Sequence, residues 1–193
     1  MLNRLARLFY RRLYRVLVPL WYGLTMNLTR LRRWPEIDHY MNTREIAEAL
    51  RWGDGWRPDP LRGVLDVLMD PRKFQKRINE GATEFGDCDD HAMYWCTALL
   101  QSGIADRAWF ASAWYAKPGE KGKGHVVCVF ERGTARLWCD YGDPRPTLDT
   151  WGWATDVAEG YGAVLLAAGM TEVTLRPNLS PKFRFKGAKT LVV

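Results

Sequence analysis

No stretch of this chain stays apolar for the roughly 18 residues that a membrane-crossing helix needs, so no transmembrane segment is expected. Cysteine is scarce. Four in 193 residues cannot staple a fold, which excludes a disulfide scaffold and favours a reducing compartment. The four cysteines and three histidines form no CxxC or HxxxH spacing, so zinc has no ligand set here. No period of about 20–50 residues and no sustained heptad occurs, which removes solenoids and coiled coils. What remains is ordinary folded composition, 47% apolar and 26% charged, in a length suited to one domain with appendages.

Acidic residues are absent from both ends. Residues 1–35 carry eight Arg and no acid; residues 176–193 carry five Lys or Arg and no acid. Between them lie 15 basic and 22 acidic residues, so the net charge of +6 hides an acidic body with basic arms. The first 20 residues fit an amphipathic helix. Leu2, Leu5, Phe9, Leu13, Val16 and Leu20 share one stripe, and Arg4, Arg7, Arg11 and Arg15 lie opposite. Such a helix suits an anionic membrane surface, a partner protein or its own domain, or a targeting role, through residues 1–33. Pro19 and the lack of an A-x-A-like cleavage site argue against a secretory signal. The expected location is cytoplasmic or peripheral to a membrane. The tail 176–193 reads as solvated, with a basic edge strand or a nucleic-acid contact as alternatives. No nucleic-acid module is present, so no specific nucleic-acid partner is expected.

Along residues 36–175, Asn42 and Glu45 form a capping pair that opens a helix ending at Gly53. Leu61–Met69 and Phe74–Asn79 read as short helices. Cys88–Ser102 is a helix with Ala92, Trp95, Cys96, Leu99 and Leu100 on its buried face, stopped by Gly103. Arg107–Tyr115 is a strand. His125–Glu131 and Ala135–Asp140 form a hairpin around Arg132-Gly133-Thr134. Ala154–Ala168 reads as helical despite Gly160 and Gly162, and Thr171–Leu175 as a last strand. Helices followed by strands imply an α+β domain with a mainly antiparallel sheet.

Three candidates for chemistry line up in order: Cys88, His125 and Asp140. Cys88 opens a helix after Gly86-Asp87, where unsatisfied N–H groups and the helix dipole favour a thiolate, with Asp87 as the expected cap. Cys96 and Cys128 suit the role of small buried hydrophobes. Alternation puts His125 on one strand face with Val127 and Val129. A turn at Arg132-Gly133 sets His125 directly opposite Asp140, and a register two residues further on makes the pair diagonal. Both registers keep the two on one face. An Asp beside an imidazole fixes its tautomer while the other ring nitrogen faces the thiol. His91, three residues after Cys88, is a rival base without an evident orienting carboxylate beyond its neighbours. The backbone N–H of Cys88 is one oxyanion donor.

Gly86-Asp87-Cys88-Asp89-Asp90-His91-Ala92, with Leu99-Leu100 and Gly103-Ile104, resembles the nucleophile helix of the transglutaminase-like superfamily, closest to its bacterial cysteine peptidase branch. Gly124-His125-Val126-Val127 resembles that superfamily's His strand, and Leu137-Trp138-Cys139-Asp140 its Asp strand. The resemblance spans about residues 59–145; His91 replaces an aromatic common at its position. It implies a papain-like core, a nucleophile helix packed on an antiparallel sheet, within residues 36–175. It also implies a Cys88–His125–Asp140 triad that acts on peptide or side-chain amides through a thioester, as a cysteine peptidase or amidase, with transfer to an amine as a further outcome. The implied partner is a protein or peptide substrate. No cofactor is required; some relatives bind calcium near the nucleophile, which makes Asp89 and Asp90 the candidates for it. The alternative is a non-catalytic binding module of the same fold, in a larger assembly such as a phage particle or at a membrane surface.

Overall fold

The computed structural model describes residues 36–51, 55–56, 68–82, 84–176, 181–184 and 191–192. The amphipathic arm 1–35 lies outside them, as does most of the expected helix Leu61–Met69. Four helices are described: α1 (Thr43–Arg51), α2 (Pro71–Asn79), α3 (Cys88–Gln101) and α4 (Gly152–Gly160). A small parallel pair, β1 (Gly55–Trp56) and β2 (Glu84–Gly86), leads into α3. The main sheet contains β3 (Arg107–Ala116), β4 (Lys123–Arg132), β5 (Ala135–Cys139), β6 (Arg145–Pro146), β7 (Val164–Leu175), β8 (Pro181–Arg184) and β9 (Leu191–Val192). Its order is β6-β5-β4-β3-β7-β8, β9 also pairs with β7, and every pairing is antiparallel. The α+β class expected from the sequence is the class observed. Among the described residues no helix is long and apolar enough to cross a membrane.

Local chemistry sets the helix starts. The Glu45 N–H donates to Asn42 Oδ1 at 3.0 Å, and Glu45 Oε2 accepts from the Met41 N–H at 2.8 Å, the reciprocal pair expected from the sequence. Asp70 caps α2 by accepting from the Arg72 N–H at 2.9 Å, with Pro71 at the first helical position, where its missing N–H costs nothing. Helix α3 is buried on nearly every side from Asp89 to Leu99, as a central helix must be. A buried polar cluster ties it to α2 and to the segment before α1. The Tyr94 hydroxyl donates to Gln75 Oε1, Tyr40 and Tyr94 share a hydrogen bond of 2.6 Å, and Gln75 Nε2 donates to Asp38 Oδ2 at 2.8 Å.

The sheet is covered on both faces. One face presents Ala108, Phe110, Val126, Cys128, Phe130 and Cys139 to Trp95, Cys96 and Leu99 of α3. The other presents Trp109, Ala111, Ala113, Val127, Val129 and Trp138 to Trp153, Ala154, Val157 and Ala158 of α4. This is the period-2 alternation of strands with both faces buried.

Two expectations are corrected, and the hairpin takes one of the two registers left open. The helix read over Ala154–Ala168 ends at Gly160; Gly162 adopts a left-handed φ of 62°, and Val164 onward is strand. Pairing with β3, in which Ala168 faces Ala113 and Val173 faces Ala108, overrides the helical propensity of this Ala-rich stretch. Part of the tail, Pro181–Arg184, pairs with β7 as an edge strand, the alternative to a solvated tail. In the β4–β5 hairpin Arg132 pairs with Ala135 and Cys128 with Cys139, with Gly133 left-handed at φ 57° in the two-residue turn. The register is therefore the further of the two anticipated, and His125 and Asp140 are diagonal neighbours.

Candidate active site

The site begins in the turn before α3. A Cβ on Gly86 would lie 2.3 Å from Asp90 Oδ2, so only glycine fits beside that carboxylate. Asp90 Oδ1 accepts from the Met69 N–H at 2.6 Å, which ties the approach to α2 to the first turn of α3. Asp87 occupies the N-cap position with extended backbone, yet its side chain makes no capping hydrogen bond, against expectation. Asp89, inside the first turn, accepts from the Asp90 N–H at 2.9 Å.

The carboxylates of Asp87, Asp89 and Asp90 offer oxygens within 4.8 Å of one another. Asp87 Oδ1 is buried without a hydrogen bond among the described residues. One oxygen of Asp89 and one of Asp90 are engaged by backbone N–H groups. Three carboxylates from one helical turn fall short of the roughly six to eight oxygens that calcium takes. The cluster does not fit a calcium cage, and no step is routed through a metal.

Cys88 is half-buried at the first position of α3 and packs against the core cluster beneath the helix. His125 stands near the start of β4, only 5% exposed, and Asp140 directly follows β5. In an antiparallel pair these positions share one end of the sheet. His125 Nε2 lies 2.9 Å from Asp140 Oδ1. A carboxylate only accepts, so Nε2 is the donor in this hydrogen bond.

Three tyrosines surround this group, and sequence reasoning missed all of them. Tyr115 from β3 and Tyr161 from the end of α4 stack with centroids 4.9 Å apart and planes 11° apart. Tyr161 meets His125 edge-on at 5.5 Å, and Tyr141 lies 5.9 Å from it. Burial is the largest cause that pushes all three phenols up from their ordinary value; the charges of Cys88 and Asp140 add to it, and for Tyr115 its neighbour Tyr161 contributes more than either.

His91 is buried between Phe74 and Tyr141, each 4.9 Å away and edge-on. Burial lowers its pKa to about 4, against a smaller upward pull from Asp140, so it is neutral at physiological pH. The Asp140 carboxylate is hydrogen-bonded to His125. Cys96, Cys128 and Cys139 are fully buried, none is in a disulfide, and burial pushes each thiol up. Compared with known proteins, the chain matches no family model, and no curated protein is similar enough to it to count as a relative.

Proposed function

We propose that this chain is a thiol-dependent hydrolase of peptide or side-chain amide bonds, built on a papain-like core of the transglutaminase type. The observation that supports the reading is the 2.9 Å His125–Asp140 hydrogen bond, in a sheet packed against the helix that begins at Cys88. In this reading the Cys88 thiolate attacks the amide carbonyl, and the oxygen takes up the charge. The Cys88 N–H, among the first four of α3 and thus without an intrahelical acceptor, faces that oxygen. His125 passes a proton to the leaving amine, the C–N bond breaks, and a thioester remains. Water then attacks the thioester while His125 takes its proton, releasing a carboxylic acid and restoring the thiol. An amine in place of water gives transamidation by the same steps. Asp140 holds the imidazole in the tautomer and stabilises the imidazolium throughout.

The test is Cys88→Ala on a panel of peptide and glutamine-amide substrates. Turnover is expected to vanish while the melting curve stays close to that of the wild type. Turnover retained in the variant contradicts the thioester route.

A further inference from the structure

Two tyrosine rings meet His125, and they belong to opposite sides of the sheet. Tyr141 lies 5.9 Å from the imidazole and packs edge-on at 4.9 Å against His91 of α3, the helix that carries Cys88. Tyr161 meets the imidazole at 5.5 Å, with the ring planes 68° apart, and stands at the C-terminal end of α4, the helix on the other face. Tyr141 thus borders His125 on the side of the nucleophile helix, and Tyr161 borders it on the side away from that helix.

The two rings also differ in exposure. Tyr141 is half-buried, whereas Tyr161 is 43% exposed even though its ring stacks on Tyr115, 4.9 Å away with planes 11° apart. Tyr115 is buried in the cluster beneath α4 and so holds the Tyr161 ring in place. The backbone fixes it too. The Tyr161 N–H donates to Ala158 O at 3.1 Å, and Gly162 turns the chain with its left-handed φ of 62°. The chain then enters β7 at Val164, which is 57% exposed and pairs with Ala116, the residue after Tyr115. An aromatic ring already held in one orientation gives up little freedom when a ligand covers it.

In the thioester route the acyl carbon is bonded to Cys88 while His125 hands a proton to the leaving amine. The acyl half of the amide therefore lies toward α3, and the amine half lies at the imidazole and continues beyond it. That direction leads to Tyr161. We infer that Tyr161 is a specificity-determining residue for the amine half of the substrate, its exposed ring receiving an apolar side chain on the leaving amine. This rests on the Cys88–His125 route proposed above. An acceptor amine in transamidation enters by the path the leaving amine takes, so the same ring selects it.

The experiment measures kcat/KM of the full-length chain on two peptides that share one acyl half, drawn from the panel above, and release either phenylalanine amide or glycine amide. The two amines are close in basicity, so their ratio reads the side chain. The wild type is expected to prefer the phenylalanine leaving group about tenfold, the size of effect an apolar contact gives. Tyr161→Phe keeps the ring and should keep the preference. Tyr161→Ala should lose it, with the loss carried by KM and turnover of the glycine peptide within about twofold of the wild type. Melting curves confirm that both variants are folded. A wild type without the preference, or a preference that survives in Tyr161→Ala, overturns this inference and leaves the thiol hydrolase reading standing. A wild type that turns over no member of the panel overturns both.

Discussion

The middle of the sheet and its end use the same three elements for opposite purposes. Helix α3 carries Cys88 at its start and Cys96 two turns in; β4 carries His125 and Cys128; the β5 strand ends in Cys139 and is followed by Asp140. In the middle, Cys96 Sγ lies 3.2 Å from Cys128 Sγ, and Cys128 and Cys139 face each other across the hairpin, all within an apolar core. At the end, Cys88 is half-buried, His125 is hydrogen-bonded to Asp140, and the charges of Cys88 and Asp140 act on Tyr115, Tyr141 and Tyr161. One residue type becomes packing or chemistry according to where along the element it falls. Burial alone suppresses the thiolate, while a helix terminus with polar neighbours favours it.

The sharpest way to break this contrast is to damage the end and look for an effect in the middle. Asp140→Asn keeps the shape and removes the charge that faces His125. A precedent in a serine protease loses about 10⁴ in kcat, and a Cys–His pair that ionises before substrate arrives depends on it less, so a loss of about 10²–10⁴ is expected. The pH–rate profile should narrow on the side set by the imidazolium, with the melting temperature little changed. A profile identical to that of the wild type removes Asp140 from the site.

His91 gives a second separation, this time in stability. Its pKa in the fold is about 4, below its ordinary 6.5. Between those values the unfolded chain binds a proton that the folded chain does not, so stability is full above about pH 6.5 and declines as the pH falls toward 4. The decline approaches about 3 kcal/mol. In His91→Phe, melting curves between pH 7 and 4.5 should lose that contribution to the slope, because the ring stays and the titration goes. An equally steep decline in the variant assigns it to other groups.

Gly86→Ala brings a methyl group against the Asp90 carboxylate and is expected to cost about 1–3 kcal/mol, read as a lowered denaturation midpoint. Activity should fall with it, since the same turn aims Cys88. In the middle of the sheet the pattern reverses. Cys128→Ser puts a hydroxyl into an apolar core at a cost of about 1–2 kcal/mol and leaves kcat of the folded enzyme unchanged. A large fall in kcat there, with the fold intact, would dissolve the distinction between the two regions.

Much of this was legible in the chain because it is local. The Asn42–Glu45 cap, the helix beginning at Cys88 and ending before Gly103, and the shared face of His125 and Asp140 all follow from spacing within a few residues. The hairpin register did not follow, because Arg132-Gly133-Thr134 contains a suitable turn in either frame; the fold adopts the one that pairs Cys128 with Cys139. Residues 161–168 mislead for a related reason. Ala and Leu favour a helix locally, and the pairing with β3 that overrules them comes from about 55 residues earlier. The tyrosines were invisible as a group since Tyr115, Tyr141 and Tyr161 come from three separate elements. Tyr141 alone offered a signal, as the neighbour of Asp140.

The most direct test of the central claim uses all four cysteines at once. The native chain is treated briefly with iodoacetamide near pH 6 and each cysteine is scored for its adduct. The account predicts modification of Cys88 with Cys96, Cys128 and Cys139 untouched, and loss of that reactivity above background when His125 is replaced by Ala. Equal labelling of the four sites, or a Cys88 whose labelling is indifferent to His125, would contradict it.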